Sequence, residues 1–127
     1  MTNLLLWLTF GLITKHFVFD FPLQGPFQYL NKGTYGHFGG ILHAGLQGLG
    51  TTLALSIILP STYWHLIGSI AIIESLIHYH IDWAKMNINR HFGLMPNNSE
   101  KFWWLLGFDQ YLHYLTYLGI LWYISVS

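Results

Sequence analysis

Four stretches of mostly apolar residues, 3–21, 38–59, 62–83 and 102–124, take up most of this chain. Each has roughly the 17–25 residues that a helix needs to cross the hydrocarbon core of a bilayer. A water-soluble domain of this size buries only about two thirds of the surface its unfolded chain exposes. It has no place to hide an apolar content of 53% with six Trp, eight Tyr and nine Phe, beside only 8% charged residues. The bilayer is the solvent that suits such a composition. The chain therefore reads as all-α, a four-helix transmembrane bundle forming one integral membrane domain over residues 1–127, in an inner or plasma membrane. The opening "MTNLLLWLTFGLITK" has neither a basic leading segment nor a small-x-small cleavage site, so it reads as a retained helix rather than a signal peptide. Trp64 and Trp83 bracket the third stretch and Trp103 and Trp104 open the fourth, where interfacial anchors belong.

Only "PST" separates the second and third stretches, which makes a tight turn. The other two connections, "PLQGPFQYLNKGTYGH" and "KMNINRHFGLMPNNSE", are long and polar. All five cationic residues fall on their side of the map: Lys15 and Lys32 with the first, Lys85, Arg90 and Lys101 with the second. Positive residues remain cytoplasmic. Both long connections are thus expected in the cytoplasm and both termini outside. Five Asp and Glu balance the cations, which leaves no basic field for nucleic acid. The absence of cysteine excludes disulfides and thiolate ligands.

Against this apolar background the polar residues follow a helical spacing. His16 and Asp20 lie four apart, as do Glu74, His78 and Asp82, and again Asp109 and His113. Residues at that spacing share a helix face. His43 lies at a similar depth in the second stretch, so every helix brings polar groups to the cytoplasmic half. Ionised carboxylates at mid-membrane cost about 2.5–3.5 kcal/mol on insertion scales, less near the interface, and need partners. Imidazole and carboxylate together hold Zn²⁺, Mn²⁺ or Fe²⁺. The set His16, Asp20, His43, His78, Asp82, Asp109 and His113 exceeds the needs of one zinc ion. It suits two metals, or one metal with carboxylates orienting its imidazoles. Interhelical glue is the plainer explanation of any single pair, worth about 0.6 kcal/mol on average; it gives no reason for all the pairs to gather at one end. Gly36, Gly40, Gly45 and Gly48 read as small residues that let helices approach. His80 lies on another face from His78, and His37 and His91 read as solvated.

The segments "KHFVFDFPLQ", "GGILHAG", "LIHYHIDWAK" and "GFDQYLHYL", with Lys32 between the first two, resemble the domain-of-unknown-function 3307 family of small bacterial and phage membrane proteins. The resemblance spans nearly the whole chain. It falls on His16, Asp20, Gln24, Lys32, His43, His78, Asp82, Lys85, Asp109, Gln110 and His113. The chain departs from the pattern at Phe19, where Gly is usual, and at His80, where an apolar residue is usual. The family carries no assigned activity; it is loosely similar to membrane proteins described as metal-dependent hydrolases.

The leading functional expectation is a membrane-embedded metal-dependent hydrolase acting on a lipid-linked or phosphoester substrate. The seven-residue set would hold the metal, which lowers the pKa of bound water. Asp82 or Asp109 would be the general base, and Gln24, Lys32, Lys85 and Gln110 would contact an anionic headgroup. Membrane lipids are the expected surroundings, and a homo-oligomer is compatible with this reading. Two other functions use the same residues: a divalent-metal or proton transport or binding protein, and a non-catalytic small membrane protein whose polar network is structural. A histidine-rich oxygenase is disfavoured, because no His-x-x-His-His cluster occurs.

Overall fold

The computed structural model describes residues 2–127, and these form an all-α protein. Helix α1 covers Thr2–Asp20, the short α2 Pro26–Tyr29, α3 Phe38–Ile58, α4 Trp64–Phe92 and α5 Glu100–Val126. Their boundaries follow local chemistry. Pro26 starts α2, where its fixed φ and missing N–H do no harm. The His37 side chain accepts a hydrogen bond from Gly39 N at 3.0 Å and caps α3. Ser99 caps α5 by accepting from Lys101 N at 3.1 Å. A single 3-10 turn, Ser61–Tyr63, follows Pro60 and joins α3 to α4.

Helix α4 is longer than the third apolar stretch suggests and continues through half of the segment read as a polar connection. No breaker intervenes before Gly93, which takes φ +61°. There Gly93 N bonds to Arg90 O and Leu94 N to Asn89 O, the paired C-terminal closure that glycine favours. The extension is docked as well: Asn87 donates to Gly33 O at 2.8 Å.

Helix α3 packs closely on α1 and α4, and α5 packs on α4 and α1, giving the cyclic order α1, α3, α4, α5. Glycines permit the closest approaches. A Cβ at Gly48 would collide with the Ser75 hydroxyl and come within 3.1 Å of Ala71 O, and one at Gly40 would lie 3.1 Å from Lys32 Cα. Gly45, read as a packing glycine on the same helix, faces open space, and Gly36 serves a turn with φ +80° instead.

The interior is divided along its length. At one end Leu8, Leu12, Leu55, Leu59, Ile67, Ile70, Tyr117, Ile120 and Ile124 form the apolar core. At the other, buried side chains are polar: Lys15, His16, Asp20, Lys32, His43, Gln47, Thr51, Glu74, His78, Asp82, Asp109 and His113. The large apolar side chains largely point outward, among them Trp7, Phe10, Phe17, Leu53, Ile57, Ile72, Leu76, Phe108, Leu118 and Trp122. Two helices, α1 and α3, are long and apolar enough to cross a membrane. Helices α4 and α5 fall short of that measure; their Glu74, Asp82 and Asp109 are buried.

Candidate metal centre

Asp20 lies at the last position of α1, His43 near the start of α3, and His78 and Asp82 one turn apart on α4. All four are at most 5% exposed, and one atom of each turns toward the others. His43 Nε2 and His78 Nε2 are 3.0 Å apart. His43 Nε2 is 3.0 Å from Asp20 Oδ1 and 3.1 Å from Asp82 Oδ2, while His78 Nε2 is 3.3 Å from each of those oxygens. A tetrahedral ion with bonds of about 2.0–2.1 Å holds its donors about 3.3 Å apart. These five separations come close to those of such a coordination shell.

Hydrogen bonds fix what His43 presents to this centre. Gln28 donates to Leu23 O at 3.3 Å, so its Oε1 is the atom 3.1 Å from His43 Nδ1. An amide oxygen only accepts; Nδ1 therefore carries the proton and Nε2 can present its lone pair. That lone pair faces Asp20 Oδ1, which also accepts from Gln47 Nε2 at 2.6 Å, and Asp82 Oδ2, which also accepts from Lys32 Nζ at 3.0 Å. An amide oxygen on the outer nitrogen of a ligating histidine is the usual means of setting its tautomer. His78 differs, since its Nδ1 is buried without a partner.

A second group adjoins the first through Asp82. His113 Nε2 lies 3.3 Å from Asp82 Oδ1 and 3.1 Å from Asp109 Oδ1. The rings of His78 and His113 stack with centroids 4.1 Å apart. His16 stands just outside both groups. Its Nε2 is 2.7 Å from Gln110 Oε1 and its Nδ1 is 2.9 Å from the Tyr117 hydroxyl. Gln110 Nε2 donates to Asp109 Oδ2, which fixes that amide, so His16 Nε2 donates to Gln110 and Tyr117 donates to His16 Nδ1. The His16 ring is still 3.4 Å from Asp20 Oδ2.

The residues read as substrate contacts are engaged with this site. Lys32 Nζ lies 3.0 Å from Asp82 Oδ2, and Lys85 Nζ 3.1 Å from Asp109 Oδ2. Gln24 donates to the backbone oxygen of Asp20. Lysines and amides here neutralise and orient the carboxylates. His80 is exposed and pairs with the Tyr35 hydroxyl at 3.0 Å.

Sequence reading missed the layer beyond the four donors. Lys15 donates to Glu74 Oε1 at 2.7 Å and to Gln47 Oε1 at 2.9 Å. Thr51 donates to Glu74 Oε2 at 2.8 Å, and Gln47 Nε2 donates to Asp20 Oδ1 at 2.6 Å. Gln47 thereby ties the Lys15–Glu74 pair to the cluster. The fourfold spacing flags Glu74; Lys15 was counted only as a topological charge, and nothing in the sequence distinguishes Gln28 or Tyr117.

Comparison with known proteins adds one finding about kinship. The model of a family described as "Protein of unknown function (DUF3307)" matches residues 8–127. Neither a curated protein nor a solved structure matches.

Proposed function

The chain belongs to the DUF3307 family, and we propose that it is an integral membrane protein that binds a divalent cation inside a four-helix bundle. Its ligands are Asp20, His43, His78 and Asp82. The observation that carries this reading is that His43 Nε2 and His78 Nε2 lie 3.0 Å apart and each is 3.0–3.3 Å from one oxygen of Asp20 and one of Asp82, with all four atoms within 4.8 Å of one another. A proton shared between the two imidazoles would join only one of these contacts, whereas a metal ion engages all four donors. Nitrogen and carboxylate oxygen without thiolate suit Zn²⁺, Mn²⁺ or Fe²⁺.

Membrane residence is supported by the reversal of the usual distribution: charges inside, Trp, Phe, Leu and Ile outside. In this reading residues 1–127 form one membrane domain, with α1, α3, α4 and α5 as its spans and the metal nearer the cytoplasm. The orientation rests on the side on which all five cations fall. Lys15, Lys32 and Lys85 are held in ion pairs, which leaves Arg90 and Lys101 as exposed cations, both at the metal-bearing end.

Binding is favoured over conduction because the polar interior ends at Glu74 and Thr51, and fully buried Leu8, Leu12 and Leu55 close the other half. Hydrolysis of a lipid-linked phosphoester draws on one feature. A cavity of about 300 Å³ between α4 and α5 is lined by Lys85 and Asp109, on the side from which a lipid would approach.

The test is elemental analysis of detergent-purified protein after extensive dialysis and again after metals are restored. About one or more equivalents of Zn, Mn or Fe per chain supports the reading. A folded protein that holds none before or after restoration rejects it.

A further inference from the structure

We propose that Asp82, Asp109 and His113 form a second divalent-cation site sharing Asp82 with the first, so that the protein holds a carboxylate-bridged pair of ions. This inference rests on the metal reading of the first site and extends it to its neighbour.

The two oxygens of Asp82 are divided between the groups. Oδ2 faces His43 and His78, and Oδ1 faces His113. A carboxylate placed in this way bridges two ions without moving, as in enzymes with paired metals. The three donor atoms of the second group lie within 4.8 Å of one another, on residues that are all buried. Asp109 is oriented as a ligand is: Lys85 and Gln110 occupy its Oδ2, which leaves Oδ1 directed inward. That oxygen is buried and accepts no hydrogen bond. It sits 3.1 Å from His113 Nε2 but off the line of an N–H bond. A buried carboxylate oxygen left in this state loses its solvation without compensation, and a cation beside it would restore the balance.

The two positions differ in access. The cavity between α4 and α5 is lined by Asp109 and Lys85 but by none of the other proposed ligands, Asp20, His43, His78, Asp82 or His113. The second ion is therefore the more readily exchanged. It also has fewer protein ligands, which leaves room for an exogenous one. Asp20, Asp82 and Asp109 outnumber the flanking Lys32 and Lys85 by a single charge, so two divalent ions bring an excess of positive charge. Hydroxide or a phosphate group entering from the cavity side would complete the pair.

Mn²⁺ is the probe, since it reports number and coupling together. Metal-stripped, detergent-purified full-length protein is titrated with Mn²⁺, freed of excess ion, and examined by elemental analysis and electron paramagnetic resonance. The expected result is two Mn per chain, the second binding more weakly, with the spectrum of an exchange-coupled pair. His113→Ala and Asp109→Asn should each hold one Mn and show the isolated-ion spectrum. One Mn per chain in the unmutated protein overturns the second site and leaves the first standing. Two uncoupled ions overturn the shared carboxylate, and none at all overturns both sites. The unmutated protein decides the matter even where a variant fails to fold.

Discussion

His43 Nε2 and His78 Nε2 face each other at 3.0 Å from neighbouring helices, with a carboxylate oxygen of Asp20 and of Asp82 beside both. Two nitrogens in this position share one proton or one metal ion. With a metal, His43→Ala or His78→Ala removes a ligand from a four-donor shell, and retained metal should fall at least tenfold in either variant. His80→Ala is the control, since His80 is exposed and bonded to Tyr35; its metal content should equal that of the unmutated protein. Elemental analysis beside circular dichroism in detergent reads both quantities. Loss of metal in all three variants alike would point to general destabilisation.

Gln28 offers a gentler perturbation. Its amide oxygen fixes the proton on His43 Nδ1, and Leu in its place keeps the bulk but frees the ring to change tautomer. Partners of this kind are worth about 10–100-fold in metal affinity. We expect Gln28→Leu to weaken metal binding by that factor with the helix content unchanged, as measured by competition against a chelator of known affinity. An unaltered affinity would mean that His43 is not a ligand.

Lys15 and Glu74 form the most buried of the lysine–carboxylate pairs among the described residues, at 2.7 Å with side chains 5% and 2% exposed. Removing one member of such a pair strands the other, at a cost of about 3–5 kcal/mol, whereas replacing both with apolar residues is often neutral. Lys15→Met and Glu74→Leu should therefore each lower the midpoint of thermal unfolding in detergent, and the double variant should recover most of the loss. Additive losses would show that the pair contributes more than mutual neutralisation.

Much of the polar cluster was legible because helix geometry converts a spacing of four into a shared face, so Glu74, His78 and Asp82 needed no structure to be aligned; His43, which has no acidic partner at that spacing, stood out only by its depth in the second stretch. The same rule brought forward Asp109 with His113 and His16 with Asp20. It did not say which atom points where. His16 Nε2 is turned to Gln110 by an amide that Asp109 orients, a dependence through three side chains on two helices. A lysine's long chain hides its destination too: Lys15 counts in the sequence only as a topological charge and Lys32 and Lys85 read as headgroup contacts, and all three reach inward to carboxylates. Gly45 and Gly48 are equivalent in the sequence, yet only Gly48 meets a neighbouring helix. The end of α4 is not legible in the sequence because polar residues after Trp83 continue a helix as readily as they leave one, until Gly93 closes it.

The inward lysines still count toward the expected orientation, because the inside-positive rule is not a net-charge rule, and that orientation is open to direct test. Arg90 and Lys101, which are exposed, flank the α4–α5 connection. The chain contains no cysteine, so single cysteines report position without background. Asn97→Cys, in that connection, and Ser61→Cys, in the turn between α3 and α4, are exposed and lie at opposite ends of α4. In right-side-out cells a membrane-impermeant maleimide should label Ser61→Cys and spare Asn97→Cys until the membrane is opened. The reverse pattern would put the metal site near the outer face. Labelling of both in intact cells would remove the membrane-spanning reading itself, because two ends of one spanning helix cannot share a compartment.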